Sequence, residues 1–368
     1  NDYGIAKPGQ IKDGQFPDAV FADPAFVIPL LCEVIAERVF QDEPVRIGHF
    51  IETAAKYGGD AKLLADGIAV VREMVEDPDC TVFLTLAGAM TPAKMDLLIF
   101  DFLEFARPCW VSSTGALMAH GLIAGTGLKH YAHDPRFDDK QLAAAKLNRI
   151  SDKYEGEENF DHIEEIVGAA MERFTGGRPV SPTRFHKAIG AILANQHPES
   201  RAILRTAYAH NIPISVPAFF DSEIGNDVAT HNRRRERQGK GRIVFDCELD
   251  AWNLAKVMHE SKRMGILSIG GGTPRNNTQN GCPFIEIANA RLKLGWPMKM
   301  FKLGCRIDPL VKKPTIGSLG TATYSEGRSC RKFDLEHGKF AEIGADATIM
   351  WPFLQAAVGQ HLGWYESA

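Results

Sequence analysis

The sequence of 368 residues contains no apolar run that approaches the roughly 18 residues of a membrane-spanning helix. Its most apolar stretch, residues 97–106, is interrupted by Asp101 and Glu104. The N-terminus has no basic segment followed by an apolar one, which is the pattern of a secretion signal. These absences predict a cytoplasmic protein that has no membrane partner.

The chain also lacks an excess of charge of either sign. Its 42 basic and 46 acidic residues give a net charge of −4, so no global field attracts a polyanion and no nucleic-acid partner is expected. The densest basic run, residues 231–242, is interpreted as a solvated loop, with a groove for an anionic ligand as the alternative. A content of 45% hydrophobic and 24% charged residues excludes disordered and fibrous classes.

Metal-ligand motifs are missing as well. The seven cysteines are scattered, without a C-x-x-C pair or a Cys/His cluster at zinc-ligand spacing. They are expected to be free or buried thiols in a reducing compartment. The closest histidines, His130 and His133, lie in a turn-like stretch with Asp134 and Pro135. A metal site at this pair is the less favoured interpretation, and no metal is expected.

Short β-rich runs alternate with amphipathic helical stretches, and the chain has no internal repeat. This alternation is typical of a parallel sheet whose strands are joined by helices. The predicted strands are residues 80–86, 108–112, 212–217, 266–269, 298–302 and 348–350. The predicted helices include residues 25–39, 48–57, 61–75, 91–106, 140–148, 161–174, 182–194, 251–264 and 352–363. We therefore expect one α/β domain over residues 23–368, with a helical insertion at 137–194, preceded by an N-terminal arm at 1–22.

Three glycines follow the predicted strand at 266–269. Gly270, Gly271 and Gly272 lead into a helix start, with Thr273 as the expected N-cap and Pro274 in the first turn. Glycines let the backbone approach a pyrophosphate, and a helix N-terminus offers free N–H groups. The segment is not a G-x-G-x-x-G motif, however. Phosphate binding and a tight turn between strand and helix both remain open.

Hydroxyl groups and a glycine follow another predicted strand. Ser113, Thr114 and Gly115 stand at its carboxyl end, where open α/β sheets bind their ligands. Simple capping of the next helix explains the same residues equally well.

Carboxylates follow the predicted strand at 212–217. Asp221, Glu223 and Asp227 are suited to ribose hydroxyls or to cationic amines. Capping and turn formation favour the same residue types, so this alternative also stays open.

The segment 317–332 is rich in Gly, Ser and Thr and contains Glu326 and Lys332. A lysine near other cations such as Arg328 and Arg331 has a depressed pKa if it is enclosed, and its neutral amine can then attack an imine or carbonyl carbon. An ordinary surface lysine is the alternative.

Taken together and in this order, these segments resemble the deoxyhypusine synthase family, which includes homospermidine synthases and bacterial synthase-like proteins. The resemblance covers residues 79–362. Its most specific pieces are CTVFL at 80–84, VSSTG at 111–115, PAFFDSEIG at 217–225, SIGGG at 268–272, SEGRSCRK at 325–332 and GADATIMWPFL at 344–354.

The resemblance implies a Rossmann-like parallel sheet with flanking helices, in a homotetramer with NAD and amine sites at the contact between subunits. It implies that NAD takes a hydride from an amine donor, that a lysine carries the four-carbon fragment as a Schiff base, and that an acceptor amine displaces it. By similarity the carrier is Lys332, with Glu326 beside it. The NAD contacts implied in the same way are Ser113, Thr114, Gly115, Asp221, Gly270, Gly271, Gly272, Asp346 and Ala347.

The residues expected to bind the amine substrate depart from the family pattern. Deoxyhypusine synthases keep Asp where this chain has Asn226 and Leu319, and they keep His and Trp where it has Asn276 and Cys330. Asp227 replaces the first Asp after a shift of one residue. The substrate-binding candidates are therefore Glu223, Asn226, Asp227 and Asn276.

The segments STGALMAH at 113–120 and HYAHDPRFDDKQL at 130–142 resemble the bacterial polyamine-making branch. The favoured hypothesis is thus an alkylamine transferase of homospermidine synthase type, which uses putrescine, agmatine or spermidine and a small amine acceptor. The alternatives are a true deoxyhypusine synthase, with a protein lysine as acceptor, and a catalytically silent NAD-binding regulatory paralogue.

Overall fold

A computed structural model of the protein describes residues 47–56, 58–312 and 323–365. The expected arm at 1–22, the expected helix at 25–39 and the departure at Leu319 lie outside the described residues. In the described part, no helix is both long and apolar enough to cross a membrane.

Six parallel strands form the main sheet, and three short strands form a second, antiparallel one. The strands are β1 (Cys80–Leu86), β2 (Trp110–Ser113), β3 (Tyr131–Ala132), β4 (Leu147–Ile150), β5 (Lys153–Gly156), β6 (Ile214–Ser215), β7 (Arg263–Ile269), β8 (Leu303–Ile307) and β9 (Lys339–Ile343). The main sheet has the order β6-β2-β1-β7-β8-β9, and the small sheet has the order β3-β5-β4. The expected Rossmann-like α/β class is confirmed.

Helices connect these strands and cover both faces of the main sheet. They are α1 (Ile47–Ala55), α2 (Gly59–Glu76), α3 (Asp96–Asp101), α4 (Gly115–Gly125), α5 (Asp139–Ala144), α6 (Glu158–Met171), α7 (Pro182–Gln196), α8 (Ile203–Ala209), α9 (Glu223–Arg237), α10 (Glu248–Glu260), α11 (Gly272–Leu292), α12 (Tyr324–Ser329) and α13 (Ala347–His361). Shorter helical turns flank α3 and follow α6 and β8.

The two faces of the sheet carry separate hydrophobic clusters, as the alternation along β7 illustrates. Leu267 and Ile269 belong to the larger cluster, with residues of α2, α4, α9 and α13. Met264 and Ile266 belong to the smaller cluster, with residues of α10 and α11. Because both faces are covered, β1 and β7 are nearly continuous apolar runs, which is why the sequence alone located them.

Two predicted strands near the C-terminal end of the chain were wrong. β8 begins at Leu303, five residues after the predicted start, because Gly304 and Arg306 interrupt its apolar pattern. A Cβ at Gly304 would lie 2.7 Å from Phe340, so only glycine fits there. Residues 348–350 belong to α13, because Asp346 caps that helix by accepting a hydrogen bond from the Thr348 N–H at 2.8 Å.

The basic run at 231–242 was also predicted wrongly. Residues up to Arg237 continue α9, and Glu172, next to α6, contacts two of its side chains. His231 Nε2 lies 2.9 Å and Arg235 Nη1 2.7 Å from the Glu172 carboxylate. In the insertion, helices are present at the predicted places, but α5 ends at Ala144 and residues 147–148 of the predicted helix belong to β4. The strands β4 and β5, and β3 just before the insertion, were not foreseen because such short, partly exposed strands lack a clear alternation.

Candidate functional site

The carboxyl ends of the central strands lie at one edge of the sheet. Leu86 of β1 pairs with Ser113 of β2 and with Ile269 of β7, and Ile269 pairs with Ile307 of β8. The chain proceeds from β1 toward β2 and β6 on one side, and from β7 toward β8 and β9 on the other. The strand order therefore reverses between β1 and β7, which is where open α/β sheets bind their ligands.

A cleft of about 440 Å³ opens at this point. Seven residues that the resemblance implied as cofactor contacts line it, namely Ser113, Thr114, Gly115, Asp221, Gly270, Gly271 and Gly272. They come from the loops after β2, β6 and β7, which are far apart in the sequence. The fold thus gathers most of the candidate cofactor contacts in one place.

Thr114 caps α4, which begins at Gly115, and both residues also line the cleft. Thr114 Oγ1 accepts a hydrogen bond from the Leu117 N–H at 3.2 Å and donates one to the Gly88 carbonyl at 2.5 Å. A Cβ at Gly115 would lie 2.5 Å from that of Ser222, so glycine is required where the loop after β6 packs on α4. The two interpretations left open by the sequence are therefore compatible.

The helix after the three glycines has its N-cap two residues earlier than the sequence predicts. α11 begins at Gly272, and Gly271 rather than Thr273 is its N-cap, without a side-chain cap. Gly270 and Gly272 have φ values of +77° and +65°, which favour glycine. Its N-cap residue, Gly271, has no side chain that could cap the helix, and the start of this 21-residue helix lines the cleft.

Two further residues that line the cleft were not predicted from the sequence. Arg306 Nη2 lies 2.6 Å from Asp308 Oδ2, and both side chains are buried. A Cβ at Gly271 would lie 2.8 Å from that Asp308 oxygen and 3.0 Å from Arg306 Nη2. The sequence carried a signal, since Arg306 lies within a buried strand and Asp308 follows it directly, but the strand had been predicted five residues too early.

Asp346 and Ala347 are not among the residues that line this cleft. Asp346 is exposed and caps α13. It follows β9, whose Ile343 carbonyl accepts a hydrogen bond from the Asp308 N–H at 3.0 Å. The two residues therefore lie at the same edge of the sheet as the cleft, but outside it.

Lys332 is enclosed, with 6% of its surface exposed. Its Nζ donates a hydrogen bond to Asn276 Oδ1 at 3.2 Å. Burial lowers the pKa of Lys332, and the positive charge of Arg275 acts in the same direction. Arg328 and Arg331, the cations that the sequence suggested for this effect, pair with Glu336 and Glu286 instead.

Glu326 lies in the first turn of α12, where its N–H donates to Thr323 Oγ1 at 3.1 Å. Its side chain is exposed, and its charge opposes the lowering of the Lys332 pKa. Glu326 is thus close enough to Lys332 to act on it electrostatically.

The remaining amine-binding candidates lie on α9. Asp227 is half-buried, and burial raises its pKa to about 6, with Glu164, Glu223 and Asp161 adding to the rise. Among the described residues, Asp227 Oδ2 and Glu223 Oε2 have no hydrogen-bond partner. Asn226 is exposed beside them. This concentration of negative charge is suited to a cationic group.

The two sets of amine-site candidates lie on opposite faces of the sheet. Ile224 and Val228 of α9 pack in the larger hydrophobic cluster, whereas Phe301 and Phe333, which adjoin Lys332, pack in the smaller one. The sheet therefore separates Asp227 from the Lys332 of the same chain.

Fold and cleft define a parallel α/β protein with a glycine-lined cleft where the strand order reverses. The chain belongs to the deoxyhypusine synthase family, whose family model ("Deoxyhypusine synthase") matches residues 49–358.

Proteins whose names refer to deoxyhypusine synthase are similar to this chain over most of their length. The chain is 27% identical to "Probable deoxyhypusine synthase 2" of Methanosarcina acetivorans over 85% of this chain and 86% of that protein. It is 27% identical to the "Deoxyhypusine synthase-like protein" of Chlorobaculum tepidum over 85% and 86% of the two chains. The crystal structure of a "putative deoxyhypusine synthase" from Entamoeba histolytica has a TM-score of 0.56 at 12% identity, covering 86% of this chain and 94% of that one. This structural likeness supports the fold.

Proposed function

We propose that the protein is an NAD-dependent alkylamine transferase of polyamine metabolism, of homospermidine synthase type. The observation that carries the proposal is that one helix serves both halves of the site. The N-terminus of α11 lines the glycine cleft, and Asn276, in the second turn of the same helix, bonds the enclosed Lys332.

The residues of the cleft fit a dinucleotide. Gly270, Gly271 and Gly272 place no side chain in front of the start of α11, so a pyrophosphate can approach the backbone N–H groups there. Asp221 suits ribose hydroxyls, and Arg306 places a cation beside the glycine turn. When bound, NAD supplies the oxidant that takes a hydride from the donor amine and later returns it.

Lys332 is the proposed covalent carrier. An amine attacks only in its neutral form, and the lowered pKa of Lys332 increases the neutral fraction near pH 7. The hydrogen bond to Asn276 directs Nζ. Nζ adds to the imine carbon of the oxidised donor, the departing amine leaves with a proton, and the four-carbon fragment stays as a Schiff base. The acceptor amine then replaces Lys332 by the same exchange.

The amine is held, in this proposal, by Asp227 and Glu223 of a second copy of the chain. Both carboxylates have unpartnered oxygens within the described residues, and the sheet separates them from Lys332 of their own chain. An assembly with sites at the contact between subunits, such as a homotetramer, brings the two faces together. Two carboxylates suit a diamine or a guanidino-amine.

Mass spectrometry of the products tests the proposal. The protein is incubated with NAD, each of putrescine, agmatine and spermidine as donor, and a panel of small amines as acceptor. A new amine longer by the donor's four-carbon fragment supports it, with no net accumulation of NADH. Modification of a protein lysine alone would establish the deoxyhypusine synthase alternative. NAD binding without hydride exchange into any amine would establish the silent regulatory one.

A further inference from the structure

Three side chains outside the cleft converge in the interior. They are His120 on α4, His130 just before β3, and Glu155 on β5. His120 Nδ1 lies 3.1 Å from Glu155 Oε1, and His130 Nε2 lies 2.8 Å from Oε2. The side chains of His130 and Glu155 are fully buried, and that of His120 is 7% exposed.

These short approaches are not ordinary hydrogen bonds. Over residues 47–56, 58–312 and 323–365, none of the four atoms finds a partner with the required N–H···O geometry. An ionised carboxylate without hydrogen bonds in the interior is strongly destabilising unless an opposite charge compensates it. The carboxylate therefore needs a compensating positive charge, and a bound cation would supply one.

Ligands of a shared metal ion have such an arrangement, because their lone pairs point to a common centre and not at one another. Ligand atoms about 2.1 Å from a tetrahedral ion are about 3.4 Å apart. The three candidate ligand atoms all lie within 4.8 Å of one another. This spacing is close to the one that a shared ion requires.

We propose that His120, His130 and Glu155 bind one divalent metal ion of the zinc class. Two imidazoles and one carboxylate suit Zn²⁺ and neighbouring transition metals, whereas Mg²⁺ and Ca²⁺ prefer oxygen ligands. The sequence had suggested His130 with His133, but the fold pairs His130 with residues 10 and 25 positions away along the chain.

Asp96, a second buried carboxyl group, lies on α3, and its Oδ1 has no hydrogen-bond partner in the described part of the chain. It is close enough to His130 to interact with it electrostatically. A second carboxyl group near the cluster favours the binding of a cation there.

The proposed ion has a structural role. His120 lies on α4, whose first residue lines the cleft, and Glu155 and His130 belong to the small sheet and its approach. The ion thus ties the insertion to the helix that follows Ser113. This role does not depend on the amine chemistry proposed above.

Titration with Co²⁺ alone, and then Zn²⁺ alone, tests the site in the full-length protein after treatment with a chelator. We expect one Co²⁺ per chain, with the visible absorption of a four- or five-coordinate ion, displacement by one equivalent of Zn²⁺, and a higher melting temperature with Zn²⁺. Glu155→Gln should abolish these signals, and Asp96→Asn should weaken Zn²⁺ binding, because it removes a nearby carboxyl group.

His133→Asn is the matched control, because its Nε2 lies 3.3 Å from the Phe137 carbonyl and outside the cluster. It should bind both metals like the unaltered chain. Absence of a stoichiometric Co²⁺ spectrum from the unaltered protein would overturn the proposal, whatever the variants do. Equal Zn²⁺ affinity in Glu155→Gln would overturn it as well and leave a buried His–Glu–His ion pair.

Discussion

Lys332 Nζ and Asn276 Oδ1 are 3.2 Å apart, although 56 positions separate the two residues along the chain. The contact joins the segment after α12 to the second turn of α11. An amide oxygen accepts a hydrogen bond from either the charged or the neutral amine without adding a negative charge, so it orients Lys332 without raising its pKa as a carboxylate would.

Lys332 should be the site of a trapped intermediate. Borohydride added during turnover should reduce the Schiff base to a stable secondary amine, which peptide mass spectrometry locates. Lys332→Arg should abolish transfer, because the guanidinium stays charged. Lys339→Arg, which alters an exposed lysine paired with Glu73, should retain transfer. A donor-derived adduct on Lys339 or Lys312 in place of Lys332 would refute the assignment.

Asn276→Asp should shift the pH dependence of transfer. A carboxylate at 3.2 Å stabilises the charged ammonium, so the pKa of Lys332 rises and the neutral amine forms at higher pH. The acidic limb of the kcat profile should move upward by about one pH unit or more. Asn148→Asp adds the same charge at an exposed position of β4, in the small sheet, and should leave the profile in place. An unmoved profile in both variants argues against Lys332 as the nucleophile.

Gly271→Ala should weaken NAD binding strongly, and Gly271→Val should abolish it. The added Cβ lies 2.8 Å from Asp308 Oδ2, so either the ion pair with Arg306 or the turn must shift. Calorimetric titration with NAD measures the loss, and circular dichroism checks the fold. Gly176→Ala, at a glycine with open space around it, should bind NAD normally. Unchanged affinity in the Gly271 variants would exclude NAD from this turn.

Asp227→Asn should stabilise the protein at neutral pH. The folded-state pKa of about 6 exceeds the usual 3.8, so the folded chain binds more protons than the unfolded chain between these values. Stability therefore falls as pH rises from about 4 to about 6, and stays lower above. Asp227→Asn should raise the free energy of unfolding by on the order of 1 kcal/mol at pH 7.5, allowing for solvent screening, and should change it little at pH 4. Denaturant unfolding at both pH values measures this.

Glu199→Gln, at an exposed loop position, is the matched control for the Asp227 variant and should leave the pH dependence unchanged. If Asp227 holds the donor amine, Asp227→Asn should also raise the KM for the donor, because a bound cation loses its counter-charge. Higher stability with an unchanged KM would place the amine elsewhere.

Agmatine or a diamine should be a better donor than spermidine. The family resemblance implies Asp in deoxyhypusine synthases where this chain has Asn226 and Leu319, so a distant ammonium of spermidine is expected to lack its counter-charge. Glu223 and Asp227 remain for a cation placed differently, and a planar guanidinium pairs well with a carboxylate. Values of kcat/KM for the three amines decide the order. A clear preference for spermidine would favour the deoxyhypusine synthase alternative.

Local patterns in the sequence were sufficient for much of the fold. The strand at 80–86 and the glycine turn at 270–272 were located because a continuous apolar run and a glycine triplet are signals within a few neighbouring residues. The α/β class and the family followed from the order of such segments. The division into arm and domain and the roles of the site residues stay predictions.

Other features depended on residues distant in the sequence, so only the tertiary structure decided them. Arg306 and Asp308 reach the cleft because pairing with β7 sets the register of β8. Burial of Lys332 depends on α11, and the convergence of His120, His130 and Glu155 depends on how α4 packs against the small sheet. Spacing along the chain carries no signal for such contacts, because the fold alone brings these side chains together and removes them from water.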